Sequence, residues 1–305
     1  MQPTSDNEPR HDPGSIQPDQ AVHNVIDGLR ALSGSNEVSR QDLRAAVYDD
    51  LYETRQPCFR YYEDWTAEAV YSAWYERRGR LLVVGCGTGT LLQRLLQRMP
   101  ARLITAIDWS PQMTRRAREK VPGIPEIRTI DFAGYRPVVP FDVVVFNGGL
   151  AAMPDLAAAA QHTAVMTLHG SRVVISLRNG EWDARPGSYP SWYWHRCVNA
   201  RRITEVARLT SPFASPHALL TARQIAAAFE GRFGLRDQRT DFGVTRLFEN
   251  VIVVPREQRL QTVGLTRERR PWMREVERLR KHDEAHAARH PMGGGLLAML
   301  FDKLH

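Results

Sequence analysis

Three glycines at alternate positions, Gly85, Gly87 and Gly89, stand between a short apolar run and an amphipathic stretch. Backbone of this kind can turn sharply, and a ligand can approach it without a Cβ in the way. Asp108 follows Gly85 by 23 residues, again directly after an apolar run. A carboxylate at such a strand end can accept both ribose hydroxyls of an adenosine. Asp131-Phe132 and Phe146-Asn147-Gly148-Gly149 close two further apolar runs. Asp131 could accept from an adenine amino group, with Phe132 lying on the ring. Each feature has a plainer alternative: a structural turn, a helix N-terminal charge, a turn carboxylate, a core aromatic. Their succession at consecutive strand ends favours a ligand crevice.

The elements that must position these residues are legible in the pattern. Leu81–Val84 is wholly apolar, as a central parallel strand buried on both faces requires. Leu91, Leu92, Leu95, Leu96 and Met99 trace one helical face behind the glycines. Further strands are expected at Leu103–Ile107, Ile127–Ile130, Phe141–Phe146 and Arg172–Leu177, with an Ala-rich helix over 154–168. Ser110-Pro111 predicts a helix start, Ser capping and Pro at the first position. Thr221 can cap another helix, whose apolar face includes Ile225 and Phe229. This alternation predicts an α/β fold, a doubly wound Rossmann-like sheet. Late strands are expected at Leu235–Phe242 and Leu247–Val254, and the residues after them read as mostly helical.

The run VVGCGTG resembles the first motif of class I S-adenosylmethionine-dependent methyltransferases. AIDWSPQM resembles the second, TIDF the third and FDVVVFNGGLAAMPD the fourth. VMTLHGSRVVISL resembles the stretch before strand five, with His169 where proline is usual. This resemblance implies a seven-stranded sheet with strand seven antiparallel. It implies S-adenosyl-L-methionine as cofactor and S-adenosyl-L-homocysteine as product. Gly85, Cys86, Gly87 and Gly89 would line the methionine and ribose moieties. Asp108 would hold the ribose, and Trp109, with Met113 in the same motif, would flank adenine. Asp131 and Phe132 would read the base, and Asn147 would border the cleft. The dinucleotide fingerprint would need a final glycine at position 90, where threonine stands.

Tyr48-Asp49-Asp50-Leu51-Tyr52 resembles the opening of small-molecule members of the family, sugar and amine N-methyltransferases among them. There a helical lid carries tyrosines over the sulfonium, so Tyr52 is a candidate at the reacting centre and Tyr48 at the substrate. A ring face attracts a cation through its quadrupole. The alternative is a helix docking its aromatics into the core. Transfer of a methyl group from a sulfonium is an in-line displacement, dominated by proximity and orientation. A base is needed only when the acceptor starts protonated. His195, within Ser191-Trp192-Tyr193-Trp194-His195, is the candidate base, His162 a weaker one, and Tyr193 a candidate substrate contact.

Several function classes are disfavoured. Asn147 lacks the Pro-Pro-aromatic continuation usual in enzymes that methylate exocyclic adenine nitrogens. The chain carries a net charge of +7, but residues 1–50 hold 4 Arg/Lys against 9 Asp/Glu. The Arg-rich stretch from Arg267 to Lys281 is interleaved with Glu268, Glu275 and Glu277, as in a solvated helix. These patterns argue against a nucleic-acid partner. His282, His286 and His290 have helical spacing, but the residue after His282 is Asp283 where the zinc-protease motif has Glu, so no metal is expected. No run is long and apolar enough for a membrane span. With three scattered cysteines and no hydrophobic leader, the chain reads as cytoplasmic.

The expected organisation is a disordered tail over 1–20, an N-terminal helical lid over 21–78, and a cofactor-binding core over 79–180. A substrate-covering insertion after strand five spans 181–220, the end of the core sheet 221–256, and a C-terminal helical extension 257–305. The expected function is methyl transfer to N or O of a small-molecule acceptor, of the specialised-metabolite kind. Alternatives are a cyclase that consumes the cofactor and releases methylthioadenosine, an RNA or protein methyltransferase, and a non-catalytic cofactor-binding module. The sequence leaves homodimerisation open.

Overall fold

The computed structural model describes residues 42, 45, 48, 49, 57–183, 220–241 and 296–305. Helix α1 (Pro57–Tyr75) leads into β1 (Leu81–Val84), α2 (Thr90–Leu95), β2 (Ile104–Asp108), α3 (Pro111–Lys120) and β3 (Glu126–Thr129). Then come β4 (Phe141–Asn147), α4 (Leu156–Val165), β5 (Thr167–Arg178), a single helical turn at Gly180–Asp183, α5 (Ala222–Phe229), β6 (Phe233–Asp241) and β7 (Leu296–Lys303). The seven strands form one sheet in the order β3-β2-β1-β4-β5-β7-β6. Strands β1 to β5 pair in parallel, and β7 runs antiparallel to both β5 and β6.

Period-two alternation divides the core between the two faces of the sheet. Leu81, Val83, Val143 and Val145 pack with Val70 and Trp74 of α1, Leu91 and Leu92 of α2 and Ala117 of α3. Leu82, Val84, Val144 and Phe146 pack with Ala160 of α4, Ile225 and Phe229 of α5, and Leu297, Met299 and Phe301 of β7. Both expected caps form. Ser110 Oγ accepts the Met113 N–H at 3.1 Å, and Thr221 makes a reciprocal capping box with Gln224.

Two expectations change. The last strand comes from Leu296–Lys303, which the sequence pattern assigns to a helical extension. Register decides it: Arg172–Arg178 pair with Asp302–Leu296 on one side, and β6 pairs on the other. The second expected late strand, 247–254, lies outside the described residues, as do the tail over 1–20 and positions 184–219 of the insertion. Helix α1, expected within a lid, buries Ala67, Val70, Tyr71, Ala73 and Trp74 against the sheet. Over its described length it is a layer of the fold.

The chain reverses direction across the sheet between β1 and β4. After β1 it moves outward through β2 and β3, then returns to β4 on the other side. Ligands of open α/β sheets bind at the carboxyl ends of the strands flanking such a switch point.

Candidate functional site

At that point the β1 end opens into Gly85–Gly89. The Gly85 and Cys86 N–H groups both donate to the Ile107 carbonyl, at 3.0 and 3.1 Å, which folds the loop over β2. The three glycines have different reasons to be glycine. A Cβ on Gly85 would lie 3.0 Å from the Asn147 carbonyl oxygen and 3.2 Å from Gly149 Cα, so its absence lets the β4 loop come close. A Cβ on Gly89 would lie 3.1 Å from Ala117 Cα, so its absence lets α3 pack. A Cβ on Gly87 meets nothing within 4 Å. Of the three, Gly87 is the one that borders open space.

Asp108 ends β2 almost completely buried. Its Oδ2 accepts the Gly87 N–H at 2.9 Å and its Oδ1 accepts the Ser110 N–H at 2.9 Å. Burial pushes its carboxyl above the usual carboxylate range, while the Ser110 and Gly87 N–H groups pull it back. Trp109 beside it is half-buried, and Met113 is buried in the first turn of α3. Cys86 is buried among the α1 and α2 side chains, where burial pushes its thiol well up and keeps it neutral.

Beyond β3, Asp131 is exposed and accepts the Ala133 N–H at 3.1 Å, capping a short turn. Phe132 is a core residue, edge-on to Phe146 at 5.2 Å and to His162 at 4.9 Å between ring centroids. His162 Nε2 lies 2.9 Å from the Tyr135 carbonyl, and burial together with Arg136 lowers its pKa.

Asn147 closes β4. Its Nδ2 donates to the Glu63 carboxylate of α1 at 3.2 and 3.4 Å, while its Oδ1 is buried without a hydrogen-bond partner among the described residues. Next to it, the Ser176 carbonyl on β5 accepts from Tyr62 Oη at 2.7 Å and from the Gly148 N–H at 2.8 Å. Tyr62 is kept protonated by burial. Thr66 and Ser176 share a hydroxyl hydrogen bond at 2.7 Å. One turn of α1 thus braces the ends of β4 and β5.

The N-terminal segment reaches the same loops. The Asp42 carboxylate accepts from Ser110 Oγ and, at 3.1 Å, from the Gln112 N–H. The Asp49 carboxylate accepts from Thr88 Oγ1 in the glycine loop and pairs with Lys120 Nζ at 2.8 Å. Tyr48 beside it is half-buried. Tyr52, Tyr193, His195 and the His282–His290 group lie outside the described residues.

Gly87, Asp108 and Asn147 are therefore brought to one crevice, and Asp131 and Phe132 stand one strand further out. Glu63, Tyr62, Asp49, Thr88 and Lys120 escaped the sequence reading as site residues. Asp49 sat inside the quoted Tyr48–Tyr52 run, and Lys120 is one of three lysines in the chain. Glu63 carries no local signal beyond an acid on a helix.

Residues 82–172 match the family described as a methyltransferase domain. A trans-aconitate 2-methyltransferase of Mycobacterium ulcerans is 34% identical over 102 residues, 33% of this chain and 38% of the relative. A malonyl-[acyl-carrier protein] O-methyltransferase of Ilyobacter polytropus is 29% identical over 103 residues, again 33% of this chain and 38% of the relative. The match thus spans well under half the length of these curated relatives. In fold, the chain is similar to the plantazolicin methyltransferase solved with a monoazolic desmethyl analogue and S-adenosylhomocysteine. The TM-score is 0.52, with 12% identity, over 94% of this chain and 99% of that one. The glycine loop, the buried strand-end acid and the first five strands of the 3-2-1-4-5-7-6 sheet thus fall within or at the edge of residues 82–172, the stretch that matches a methyltransferase domain.

Proposed function

We propose that the protein transfers the methyl group of S-adenosylmethionine to a nitrogen or oxygen of a small-molecule acceptor. The observation that carries this is Asp108: a buried carboxylate held by two backbone N–H groups at the mouth of the switch-point crevice, beside the open Gly87.

The residues present fit the cofactor. Gly87 leaves room where a side chain would intrude. Asp108 retains acceptor capacity on both oxygens after its two backbone contacts, which suits a pair of ribose hydroxyls. The buried Asn147 Oδ1 awaits a donor. When bound, the cofactor supplies a methyl group on a cationic sulfur. Asp108 fixes the depth and rotation of the nucleoside, and its two N–H partners hold the carboxylate still. Asn147 and the Gly148-Gly149 turn form the crevice wall on the β4 side, braced by Tyr62 through Ser176. Rigid placement of this kind lowers the barrier of a displacement through orientation. Tyr48 and, from the resemblance, Tyr52 would cover the reacting centre, with His195 as base and Tyr193 against the acceptor.

Calorimetry with S-adenosylhomocysteine tests the crevice, and methyl-labelled S-adenosylmethionine with metabolite extracts tests transfer by mass spectrometry. Saturable binding and a labelled small molecule are expected. Methylthioadenosine as the sole product would replace transfer by ring closure, and absence of binding to folded protein would remove the reading.

A further inference from the structure

At the end of the sheet opposite the crevice, strands β4 and β5 begin and β7 ends. We propose that this edge docks the protein on an anionic lipid surface, with the crevice facing away from it. The inference stands apart from the methyltransferase reading.

Exposed apolar side chains gather at this edge. Val138 is 99% exposed, Val165 77% and Leu168 58%, with Val139 and Leu304 exposed beside them. Connected contacts make them one surface. Phe141 pairs with Thr167, and Val139 and Val165 each stand two residues earlier. Ser171 Oγ accepts the Leu168 N–H at 3.0 Å and donates to the Phe141 carbonyl at 2.9 Å. His169 Nδ1 lies 2.7 Å from the Leu304 carbonyl. Pro137 and Pro140 flank the bend at Val138-Val139 and stiffen it. The other large apolar side chains exposed among the described residues, Tyr75 and Leu235, lie toward the same end. Scattered exposed apolar residues are ordinary, but their gathering on one edge marks a contact surface.

The rim of this surface is basic. Arg80 donates to the Val139 carbonyl at 2.7 Å and Arg136 to the Ala133 carbonyl at 2.7 Å, so two guanidiniums flank the valine bend. Arg77 lies against Gly170, two residues from Leu168. The Arg232 carbonyl accepts the Leu304 N–H at 3.1 Å, and Lys303 precedes Leu304. None of these cations pairs with a carboxylate side chain among the described residues. The acids of the edge are Glu230, at the end of α5, and Asp142, which accepts the Arg80 N–H at 2.7 Å. Glu76 and Asp302 are taken up by Arg172 and Arg236.

Charge and shape select the occupant. A second copy meeting this edge across a two-fold axis would bring the two basic rims together, and like charges oppose that contact. An acidic protein would satisfy the charge, but protein interfaces are anchored by aromatic side chains, methionine and arginine seated in pockets. Here the central side chains are aliphatic and project outward. An anionic bilayer asks for apolar tips at one level with cations around them. The ends of neighbouring strands in one sheet supply that level. No described helix is long and apolar enough to cross a membrane, so the contact is with the surface alone.

Co-sedimentation of the full chain with vesicles tests this. One set is phosphatidylcholine, the other phosphatidylcholine mixed equally with phosphatidylglycerol. The wild type should pellet roughly tenfold more with the anionic vesicles and leave them in ~1 M salt, where the Debye length is about 3 Å. Val138→Glu combined with Val165→Glu replaces two tips by charge, and Arg77→Gln combined with Arg232→Gln removes two rim cations. Each pair should lower anionic-vesicle binding roughly tenfold and melt near the wild type, since all four side chains are exposed. Where a pair fails to fold, Val165→Ser alone takes its place, with a smaller loss expected. Arg115→Gln, which removes an exposed cation of α3, should bind as the wild type does. Affinity for S-adenosylhomocysteine should be the same with and without anionic vesicles, and a loss would put the crevice against the membrane and overturn the orientation. The proposal is overturned by wild type that stays with neither vesicle, by equal pelleting with both, or by tip and rim variants that pellet like the wild type. Wild-type dimers that Val138→Glu dissociates, seen by sedimentation velocity, would give the edge to a second copy. A protein retained from lysate by the wild type and not by that variant, with no vesicle binding, would give it to an acidic protein. Either result overturns the lipid assignment.

Discussion

The carboxylate of Asp108 reaches across from the end of β2 and accepts the backbone N–H of Gly87 at 2.9 Å. This one contact joins the two loops that bound the crevice. It also means that the acid and the glycine act as a unit: the open side of Gly87 is held in place by the group that would take the ribose. The cost is visible in the titration of Asp108, which burial raises despite two N–H donors. Charge at this position destabilises the ligand-free fold above the raised pKa, and that cost disappears as pH falls through it.

Asp108→Ala should weaken S-adenosylhomocysteine by ~1–3 kcal/mol, the range for losing hydrogen bonds to a charged group. The pH dependence has a definite sign. The ionised carboxylate accepts from ligand hydroxyls, so wild-type affinity should be complete above the folded pKa and fall as pH drops through it. The fall should begin at a higher pH than the ordinary aspartate value of 3.8 implies. Calorimetry from neutral pH downward should show a slope in the wild type and less of one in the variant. Equal slopes would place the titration elsewhere.

The glycine loop makes a second forecast. Gly85, Gly87 and Gly89 all have positive φ, at 78°, 53° and 89°, so alanine at any of them costs ~1–2 kcal/mol of backbone strain. Gly85→Ala and Gly89→Ala add contacts at 3.0 and 3.1 Å to backbone that cannot easily move. They should lower the melting temperature most. Gly87→Ala adds no clash within the protein. It should melt closest to the wild type yet bind S-adenosylhomocysteine worse than its stability loss explains. A Gly87→Ala protein that binds normally would show that the open side faces no ligand.

The strand ends were readable because each apolar run stops abruptly at a glycine or a polar residue that ends the strand or directly follows it: Gly85 after Val84, Asp108 after Ile107, Asn147 after Phe146. The final strand was not. Leu296–Lys303 reads LLAMLFDK, with no β-branched residue, and good helix formers dominate it. Its strand state comes from pairing with β5 and β6, contacts that are remote in sequence and leave no local trace. Glu63 was hidden for a related reason. Along α1 it is one acid among several, and only the docking of that helix on β4 and β5 sets it against Asn147. Phe132 was read as a base platform with a core aromatic as alternative, and its rings of contact with Phe146 and His162 place it in the core.

Lys120 bears on how the N-terminal segment meets the loop. Its ammonium lies 2.8 Å from Asp49 Oδ1 and 3.1 Å from Thr90 Oγ1. Both partners of the ion pair are partly exposed, so screening limits its worth. Lys120→Met should weaken S-adenosylhomocysteine by no more than ~1 kcal/mol, and the difference should shrink in ~1 M salt, where the Debye length is about 3 Å. A difference that persists unchanged in high salt would mean that Lys120 acts through packing of its stem and not through its charge.

Away from the crevice, Arg172 is the buried charge that ties β5 to its neighbours. It donates to the Glu76 carboxylate at the end of α1, to the Ala73 carbonyl at 3.3 Å and to Asp302 of β7 at 3.3 Å. The hydrogen bond from Arg172 holds the Glu76 carboxyl at about 2, below its usual 4.5. A depressed carboxylate contributes stability that is present above the unfolded value and is lost as pH falls through the folded one. Glu76→Gln should therefore melt below the wild type at pH ~6, with the gap closing as the pH is taken from ~4.5 toward ~3. Arg172 keeps Asp302 and the Ala73 carbonyl in the variant, so the fold should survive the change and the comparison can be made on folded protein. Melting curves across that range decide it. A gap that stays constant with pH would assign the contribution of Glu76 to shape alone, and the guanidinium would then be held by its other two partners.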